Sequence, residues 1–293
     1  MRADLSKTIA RYIFMEQTKK LLIPSIGFGT YKAAIQDGAQ VIREALDAGY
    51  RYFDTASFYE NEDVVGSVLA GSGLSRKSYF VASKIWKSDL GYDSAKEAIA
   101  RSLDRLGLDY MDVCLIHWPK SSPDDTRWEE RLAGTWKAME EACSQGKIRT
   151  LGVSNFLPHH LKVILDCASI RPAIDQIEFH PGYLQEETLE ECRRQGILVQ
   201  AWSPMGLARV LQDPLLTNLA AQYGVSTAQL CLKFALQMGV MPLPKSVSPD
   251  RMRQNLALGG FVIADDDMEK IKAMPCTGWS GEHPDRERVP AQN

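Results

Sequence analysis

The sequence predicts an α/β fold, a (β/α)8 TIM barrel with an N-terminal β-hairpin. Eight short β-rich runs alternate with amphipathic stretches, at a repeat of roughly 30–35 residues. No G-x-G-x-x-G spacing follows the first run, which disfavours a doubly wound open sheet. We therefore expect one domain over residues 1–293, with the hairpin at 1–23. The charged segment at 276–293 is either a frayed tail or, as we expect, a loop over the barrel mouth.

Eight strand candidates follow one another at this repeat. They are the segments 25–31, 50–56, 79–84, 110–118, 148–155, 173–179, 197–203 and 240–246. Each ends in small or polar residues. The carboxyl ends of parallel barrel strands meet at one face, and barrel enzymes carry their chemistry there. The polar strand ends are therefore the candidate site.

Seven helical patterns lie between the strands. They cover residues 37–49, 61–72, 93–107, 127–146, 157–168, 184–196 and 226–239. Several stop at a glycine just before the next strand, which is a common helix C-terminal signal. Ser94 with Glu97 three positions later matches a capping box and predicts a helix start.

Composition argues against several classes of function. The chain has 34 Lys and Arg against 37 Asp and Glu, with no basic stripe, so we expect no nucleic-acid partner. No apolar run reaches the roughly 18–20 residues of a membrane span, and no convincing signal peptide opens the chain. Six scattered cysteines without C-x-x-C indicate a reduced cytoplasmic enzyme. We expect no metal site, because the adjacent His159 and His160 should point in different directions on a helix.

Three successive strand ends carry four chemically distinct side chains. Asp54 ends the second strand, with Tyr59 in the following loop, Lys84 ends the third and His117 ends the fourth. A free phenol has a pKa near ~10, and a nearby ammonium should lower it. Asp54 can hold Lys84 by a salt bridge, while His117 can bond a substrate oxygen or share a proton path with Tyr59. This set predicts a general acid aimed at a carbonyl oxygen, with a nicotinamide supplying the hydride.

The later strand ends suit a nicotinamide nucleotide. Ser154, Asn155 and Gln176 offer donors and acceptors for a carboxamide, and Trp202 offers a flat stacking surface, with Ser203 at the following turn. These residue types together predict the nicotinamide end of a cofactor site.

An anion site is predicted where the last helix pattern begins. Lys245, Ser246, Arg251 and Asn255 lie around that helix start, which suits a phosphate. The extra 2′-phosphate of NADP is the candidate ligand.

Eight motifs make the chain resemble the aldo-keto reductases. They are GFGTY, YRYFDTASFYENEDVVG, SKIW, DVCLIHWP, GKIRTLGVSNF, QIEFHP, AWSPMG and LPKSVSPDRMRQN. They run in the family's order from about residue 22 to 259 and are similar to its bacterial-type members, in the branch of 2,5-diketogluconate reductase and prostaglandin F synthase. The resemblance implies NADP(H) bound without a Rossmann fold, reduction of small-molecule aldehydes or ketones to alcohols, and a monomer.

The resemblance also implies which residues form the site. The catalytic set is Asp54, Tyr59, Lys84 and His117. The implied cofactor contacts are Gly29, Thr30, Tyr31, Asp54, Ser154, Asn155, Gln176, Trp202, Ser203, Pro204, Met205, Leu207, Lys245, Ser246, Val247, Arg251, Gln254 and Asn255. The implied substrate pocket is Tyr31, Phe58, Trp86, Trp118 and Trp279. The chain departs from many members in having Trp202 where tyrosine is frequent and Gln254 where glutamate is frequent. Its loop after the seventh strand is short, which implies an open cofactor groove.

Two alternatives to a reductase stay open. The first is a non-catalytic interaction protein on the same barrel, like the reductase-like subunits of potassium channels or the lens crystallins. The second is an unrelated barrel enzyme, an isomerase or an aldolase that uses Lys84 as a Schiff-base lysine. Each polar residue taken alone also has an ordinary structural explanation, such as a turn for Asp54 or a core histidine for His117.

Overall fold

The structure is a computed structural model that describes residues 23–289, with the side chains of 34–36 left out. The predicted hairpin at 1–23 lies outside the described residues except for Ile23, so it stays a prediction. The described part of the predicted C-terminal loop runs from Cys276 to Val289.

Eight parallel strands form one sheet in chain order. They are β1 (Phe28–Gly29), β2 (Tyr52–Asp54), β3 (Phe80–Ile85), β4 (Met111–Ile116), β5 (Ile148–Ser154), β6 (Ile174–Glu178), β7 (Leu198–Trp202) and β8 (Met241–Pro242). Every neighbouring pair from β1 to β8 is parallel. All strand ends that follow the chain direction therefore lie at one face.

Backbone hydrogen bonds join the first strand to the last and close the barrel. The N–H of Gly27 donates to the carbonyl of Pro242 at 3.1 Å, and that of Gly29 donates to Pro244 at 3.1 Å. A Cβ atom on Gly27 would lie 2.5 Å from Cδ2 of Leu243 and 2.6 Å from the Tyr52 ring, so glycine permits this approach. The predicted (β/α)8 barrel is confirmed.

Ten helices cover the outside of the barrel in the described residues. They are α1 (Ala34–Ala48), α2 (Glu62–Ala70), α3 (Tyr92–Leu106), α4 (Trp128–Ser144), α5 (Pro158–Cys167), α6 (Glu186–Gln195), α7 (Pro214–Gln222), α8 (Thr227–Gln237), α9 (Pro249–Leu256) and α10 (Asp265–Lys272). The seven predicted helices are α1 to α6 and α8. Within residues 23–289, no helix combines the length and the apolar character that a membrane crossing needs.

The predicted capping box at Ser94 is wrong. Helix α3 begins two residues earlier, at Tyr92, and its N-cap is Gly91. The N–H of Gly91 donates to Oγ1 of Thr135 on α4 at 2.8 Å. A tertiary contact thus fixes the helix start, and Ser94 lies inside the helix.

The barrel interior is divided into an apolar layer and a polar layer. The apolar layer consists of Ile23, Tyr52, Ala82, Val113, Leu115, Ile174, Leu198, Met241 and Leu243. Successive side chains of a strand alternate between faces, so the next inward position lies two residues further on. On five strands that position holds a polar residue at the carboxyl-end face, namely Asp54, Lys84, His117, Gln176 and Gln200.

One buried carboxyl group lies on the outward face of β6. Asp175 is fully buried, its Oδ1 has no hydrogen-bond partner among residues 23–289, and Sγ of Cys192 lies 3.9 Å from Oδ2. Burial raises the pKa of Asp175 to about 8. The group therefore holds a proton at neutral pH in the folded chain.

We expect Asp175→Asn to flatten the pH dependence of stability. The unfolded chain loses this proton near pH ~4, whereas the folded chain keeps it to about pH 8. The native state therefore binds more protons in that window, and the free energy of unfolding should fall as pH rises through it, by at most about 1.4 kcal/mol per pH unit. Urea unfolding from pH 5 to 8 measures this slope. The exposed control Asp266→Asn should keep the wild-type slope; an unchanged slope in Asp175→Asn would contradict the assignment.

Candidate active site

A buried ion pair lies at the ends of β2 and β3. Nζ of Lys84 is 2.7 Å from Oδ2 of Asp54, and the Lys84 side chain has no exposed surface. The same ammonium donates to the carbonyl of Thr55 at 2.9 Å and to the Tyr59 hydroxyl at 3.4 Å. All three donor positions of the ammonium are thus used, and the phenol is one of its partners.

A single short turn brings Tyr59 over the end of β3. Residues Ser57–Tyr59 form one turn of 3-10 helix after β2. The Ser57 hydroxyl donates to the carbonyl of Lys84 at 3.0 Å, which ties the turn to β3. The turn ends at Glu60 in the left-handed conformation, with φ of 53°. Five residues therefore suffice to bring a phenol above the carboxylate that ends the strand.

The Tyr59 phenol is protonated at neutral pH. Burial, and then the charges of Asp54 and of a Tyr31 phenolate, raise the pKa of Tyr59 well above its usual value of 10. The expected lowering of this pKa by Lys84 is wrong for the protein alone. Asp54 opposes the effect of the ammonium, and burial disfavours a phenolate.

His117 is the first residue after β4 and lies against the aromatic side chains. Its backbone N–H donates to the carbonyl of Ile85 at 3.0 Å. Its ring meets those of Trp86 and Tyr59 edge-on, at 4.9 and 5.7 Å between centroids. Burial, and then the charge of Lys84, hold the pKa of His117 well below 6.5. The imidazole is neutral, and its buried Nδ1 has no partner among the described residues.

Two glutamines connect the ion pair to the far side of the barrel. Nε2 of Gln176 donates to Oδ1 of Asp54 at 2.8 Å and to Oε1 of Gln200 at 3.1 Å. Nε2 of Gln200 in turn donates to the Tyr52 hydroxyl at 2.9 Å. Sequence reasoning missed Gln200, although its inward register two residues before Trp202 was a usable signal.

Asn61 is a second residue that sequence reasoning missed. Its Oδ1 accepts from the Thr55 hydroxyl at 2.6 Å, and its Nδ2 donates to the carbonyl of Thr30 at 3.0 Å. The Thr30 hydroxyl donates to the carbonyl of Asp54 at 2.9 Å. The sequence pattern predicts that Asn61 belongs to a helix start. It does precede α2, but its side chain makes no cap bond and instead links the ends of β1 and β2.

The four predicted amide-binding and stacking residues form one connected group. The Ser154 hydroxyl donates to the carbonyl of Gln176 at 2.7 Å, and Nδ2 of Asn155 donates to the carbonyl of His117 at 3.0 Å and to Oγ of Ser154 at 3.2 Å. Nε1 of Trp202 donates to Oδ1 of Asn155 at 2.8 Å. Asn155 has a φ of 62°, a conformation that asparagine tolerates better than most residues. This single residue therefore orients the indole of Trp202.

Two exposed cations flank the start of α9. Neither Lys245 nor Arg251 has a carboxylate within ion-pair distance among residues 23–289, whereas Arg253 pairs with Asp250 at 2.6 Å. Ser248 caps the helix by accepting from the N–H of Arg251 at 3.5 Å. An unpaired lysine and arginine at a helix N-terminus suit an anion.

The other predicted residues of this region divide into two groups. Gln254 and Val247 are exposed beside the cations, while Asn255 is buried on the same helix. A Cβ atom on Gly29 would lie 3.1 Å from the carbonyl of Leu243. The end of β1 therefore lies close against the chain that leads to the cations.

The segment after β7, residues 203–213, is short, as predicted. Ser203, Leu207 and Ala208 have left-handed φ values of 49°, 55° and 72°, and Leu207 is exposed. The predicted contacts Pro204 and Met205 lie on the same segment. Below, this segment is called the β7 loop.

Aromatic rings surround Tyr59 and His117. Phe58 and Trp86 stack at 3.9 Å, and the rings of Tyr31 and Tyr59 lie 4.9 Å apart. The exposed Tyr31 and Phe58 thus form walls of the opening above the phenol.

Among residues 23–289, the other two predicted pocket residues make no ring contact with this group. Trp279 stacks on Tyr183 at 5.9 Å between ring centroids, and its Nε1 donates to the carbonyl of Glu282. Trp118 is half-buried, and no described aromatic ring stacks on it. Their place in a pocket stays a prediction.

The adjacent histidines do not point apart. Nε2 of His160 lies 3.1 Å from Oδ1 of Asp285, and Nε2 of His159 lies 3.2 Å from Oδ2. The three side chains are close enough to one another to hold a metal ion. However, Nδ1 of His160 accepts from the N–H of Leu157 at 3.1 Å, so the neutral ring carries its proton on Nε2 and donates to Asp285. Since Lys120 also reaches Asp285, at 3.2 Å, the group is better explained as an ion-pair anchor.

Known proteins resemble this chain in sequence and in fold. Residues 25–275 match the sequence model of the aldo/keto reductase family. The chain belongs to this family. It is 38% identical over 264 residues to the glyoxal reductase of Bacillus subtilis, covering 90% of this chain and 93% of that protein.

Solved aldo/keto reductase structures have the same fold. The Brucella melitensis enzyme superposes with a TM-score of 0.79 at 36% identity, over 85% of this chain and 94% of its own. The Bombyx mori enzyme, solved in complex with NADP, superposes with a TM-score of 0.78 at 32% identity, over 87% and 94%. The family that the sequence motifs predicted is confirmed, while its branch stays a prediction.

We expect Lys84→Met to lower the free energy of unfolding by about 3 kcal/mol, because the Asp54 carboxylate stays buried without its cation. The double variant Asp54→Asn/Lys84→Met should recover a large part of this loss, since no charge is left unpaired. Urea unfolding of the wild type, both single variants and the double variant measures the coupling. Lys162→Met, which breaks the exposed pair with Asp166, is the control and should cost less than about 0.5 kcal/mol. Simple additivity of the two single losses would contradict the buried pair.

Proposed function

We propose that this aldo/keto reductase is an NADP(H)-dependent enzyme that reduces aldehydes and ketones to alcohols. The observation that carries the proposal is the protonated Tyr59 phenol, 3.4 Å from the buried Lys84 ammonium and beside a neutral His117. Family membership and a relative named glyoxal reductase support the reaction class. A related structure in complex with NADP supports the cofactor.

Tyr59 acts as the general acid in this proposal. Its proton goes to the substrate oxygen as negative charge develops there, and the phenolate that remains is stabilised by Lys84. Asp54 holds the ammonium at 2.7 Å, so that its position does not depend on substrate. Because burial raises the pKa of Tyr59, the proton is present throughout the neutral range.

His117 orients the substrate oxygen. The imidazole is neutral, and Nε2, the ring nitrogen that is not buried, makes no hydrogen bond within residues 23–289, so it can exchange one with substrate without titrating near neutral pH. The backbone of His117 is held by Ile85 on one side and by Asn155 on the other. The proposed role is therefore positioning of the carbonyl between His117 and Tyr59.

The residues from the end of β5 to the start of α9 fit a nicotinamide nucleotide along one groove. NADPH would supply the hydride. No described donor bonds Oε1 of Gln176, which leaves that atom for the carboxamide, and Trp202 is held by Asn155 for stacking. Lys245 and Arg251, both without a described carboxylate partner, would hold the 2′-phosphate.

The alternative functions fit the described geometry less well. A Schiff-base lysine needs a free amine facing the substrate, but the Lys84 ammonium is buried and bonds Asp54, Thr55 and Tyr59. A non-catalytic interaction protein has no need for a proton donor at the mouth. Turnover of a generic aldehyde by the purified protein would exclude that function. Aromatic walls formed by Tyr31, Phe58 and Trp86 favour carbonyl substrates with a planar or apolar substituent.

Three features predicted from sequence complete the proposal. We infer a single domain, a monomer and a cytoplasmic enzyme. Light scattering of the purified protein checks the monomer, and cell fractionation checks the compartment.

We expect Tyr59→Phe to lower kcat for 4-nitrobenzaldehyde by about 10²–10⁴-fold, because the proton donor is lost. The dissociation constant for NADPH, followed by tryptophan fluorescence, should stay within about twofold, since the ring is retained. Tyr223→Phe is the matched control: it removes a hydroxyl that bonds Asp267 on the outer helix α10 at 2.7 Å and should keep full turnover. Normal turnover in Tyr59→Phe would rule out the mechanism.

We expect Lys245→Met and Arg251→Met each to weaken NADPH binding by about tenfold or more, because each removes one charged contact to the phosphate. NADH binding should change little, as NADH lacks the 2′-phosphate. Fluorescence titration with both nucleotides measures the ratio. Arg253→Met, on the same helix but paired with Asp250, is the control. Equal losses for NADPH and NADH would place the 2′-phosphate elsewhere.

A further inference from the structure

The C-terminal tail, residues 275–289, is held at two places on the barrel face. Glu178, at the end of β6, accepts from the N–H and the hydroxyl of Ser280 at 2.9 and 2.7 Å. Asp285 is bonded by Lys120, which follows β4, and by His160 in the first turn of α5. The tail therefore crosses the rim of the barrel above β4, β5 and β6, next to the strand end that carries His117.

The tail also lies directly against the β7 loop. A Cβ atom on Gly278 would be 2.7 Å from Cγ1 of Val210 and 3.7 Å from Cα of Gly206. Both glycines have left-handed φ values, 54° for Gly206 and 71° for Gly278. The two backbones thus touch where neither carries a side chain, and a shift of one must move the other.

Arg209 joins these two segments by hydrogen bonds. Its Nη1 donates to the carbonyl of Trp279 at 2.8 Å and to that of Gly278 at 3.3 Å. Among residues 23–289, no carboxylate lies within ion-pair distance of its guanidinium. The charge of an otherwise exposed arginine is therefore directed at two backbone carbonyls of the tail.

The neighbours of Arg209 in the β7 loop are strained. Leu207 and Ala208 both have left-handed φ values, a conformation that costs roughly 1–2 kcal/mol per residue outside glycine. Such a conformation persists only where surrounding contacts hold it. The two bonds from Arg209 to the tail are among those contacts, so loop conformation and tail position depend on each other.

We propose that Arg209 is a positioning residue that couples the cofactor groove to the substrate side of the mouth. A nucleotide that contacts the β7 loop would stabilise the strained conformation of that loop. Because Arg209 bonds the carbonyl of Trp279, the stabilised loop would in turn hold the tail in place. The tail segment above β4 to β6, already bonded to the barrel face, is then held more firmly for substrate when the cofactor is bound. This inference rests on the proposed function, because it takes the β7 loop as a cofactor contact.

Amide hydrogen exchange of the tail tests the coupling without relying on turnover. In the wild type, NADPH should slow exchange of peptides covering 276–289 by about threefold or more. Arg209→Met should abolish this effect of NADPH, and Arg209→Lys should restore part of it. Arg193→Met is the matched control, since Arg193 is also exposed and donates to a backbone carbonyl, that of Met238 at 2.8 Å, on another part of the surface. It should behave as the wild type.

Kinetics supply the second readout. Arg209→Met should raise KM for 4-nitrobenzaldehyde by about fivefold with kcat within about twofold, as expected when a positioning contact rather than a reacting group is lost. The coupling is overturned if NADPH still slows hydrogen exchange of the tail in Arg209→Met. It is also overturned if NADPH quenches the tryptophan fluorescence of the wild type but leaves hydrogen exchange of its tail unchanged. Absence of quenching in every variant instead refutes the proposed function, and the coupling with it.

Discussion

The buried ion pair between Lys84 and Asp54 is the interaction on which the rest of the site depends. Neither charge is stable inside a protein alone, so each requires the other together with further hydrogen bonds. Asp54 uses its second oxygen for Gln176, and the ammonium uses its remaining protons for Thr55 and Tyr59. The pair thereby fixes the phenol on one side and the glutamines on the other. Its cost is offset by the apolar barrel layer beneath it, in which the polar Tyr52 hydroxyl accepts a hydrogen bond from Gln200.

The barrel supplies this arrangement through strand register rather than through loops. Asp54 pairs with Ala82 and Lys84 with Leu115 in the parallel ladder. Since side chains alternate, Asp54 and Lys84 both face inward one step above the apolar layer. A rigid sheet therefore sets the separation of the charged groups, and only Tyr59 depends on a turn. The bond from the Ser57 hydroxyl to the carbonyl of Lys84 fixes that turn, so the proposed proton donor is positioned by two strands, β2 and β3.

The barrel and most of the candidate site could be predicted from sequence, because they follow from the βα repeat and from which residues lie at the strand ends. Alternating strands and helices predicted the barrel, and the polar strand ends predicted which side chains would meet. The features that the sequence did not predict have a common cause. Each is decided by contacts between parts of the chain that are distant in sequence. Thr135 on another helix decides where α3 begins, so the local cap signal at Ser94 failed. Asn61 sits in a helix-start pattern but bonds Thr30 and Thr55. The sign of the pKa shift of Tyr59 likewise depends on burial, which no motif reveals.

Asn155 shows how closely the proposed substrate and cofactor sides are connected. One amide group bonds the carbonyl of His117, the hydroxyl of Ser154 and the indole of Trp202. A displacement of Trp202 would therefore pull on His117, which we propose orients the substrate oxygen. The hydrogen bonds of Asn155 thus form a continuous network between β4, β5 and β7. The tail, by contrast, joins the β7 loop mainly through Arg209 and glycine contacts. The rigid connection suits the proposed reacting groups, and the weaker connection suits a tail that we propose moves as substrate enters and leaves.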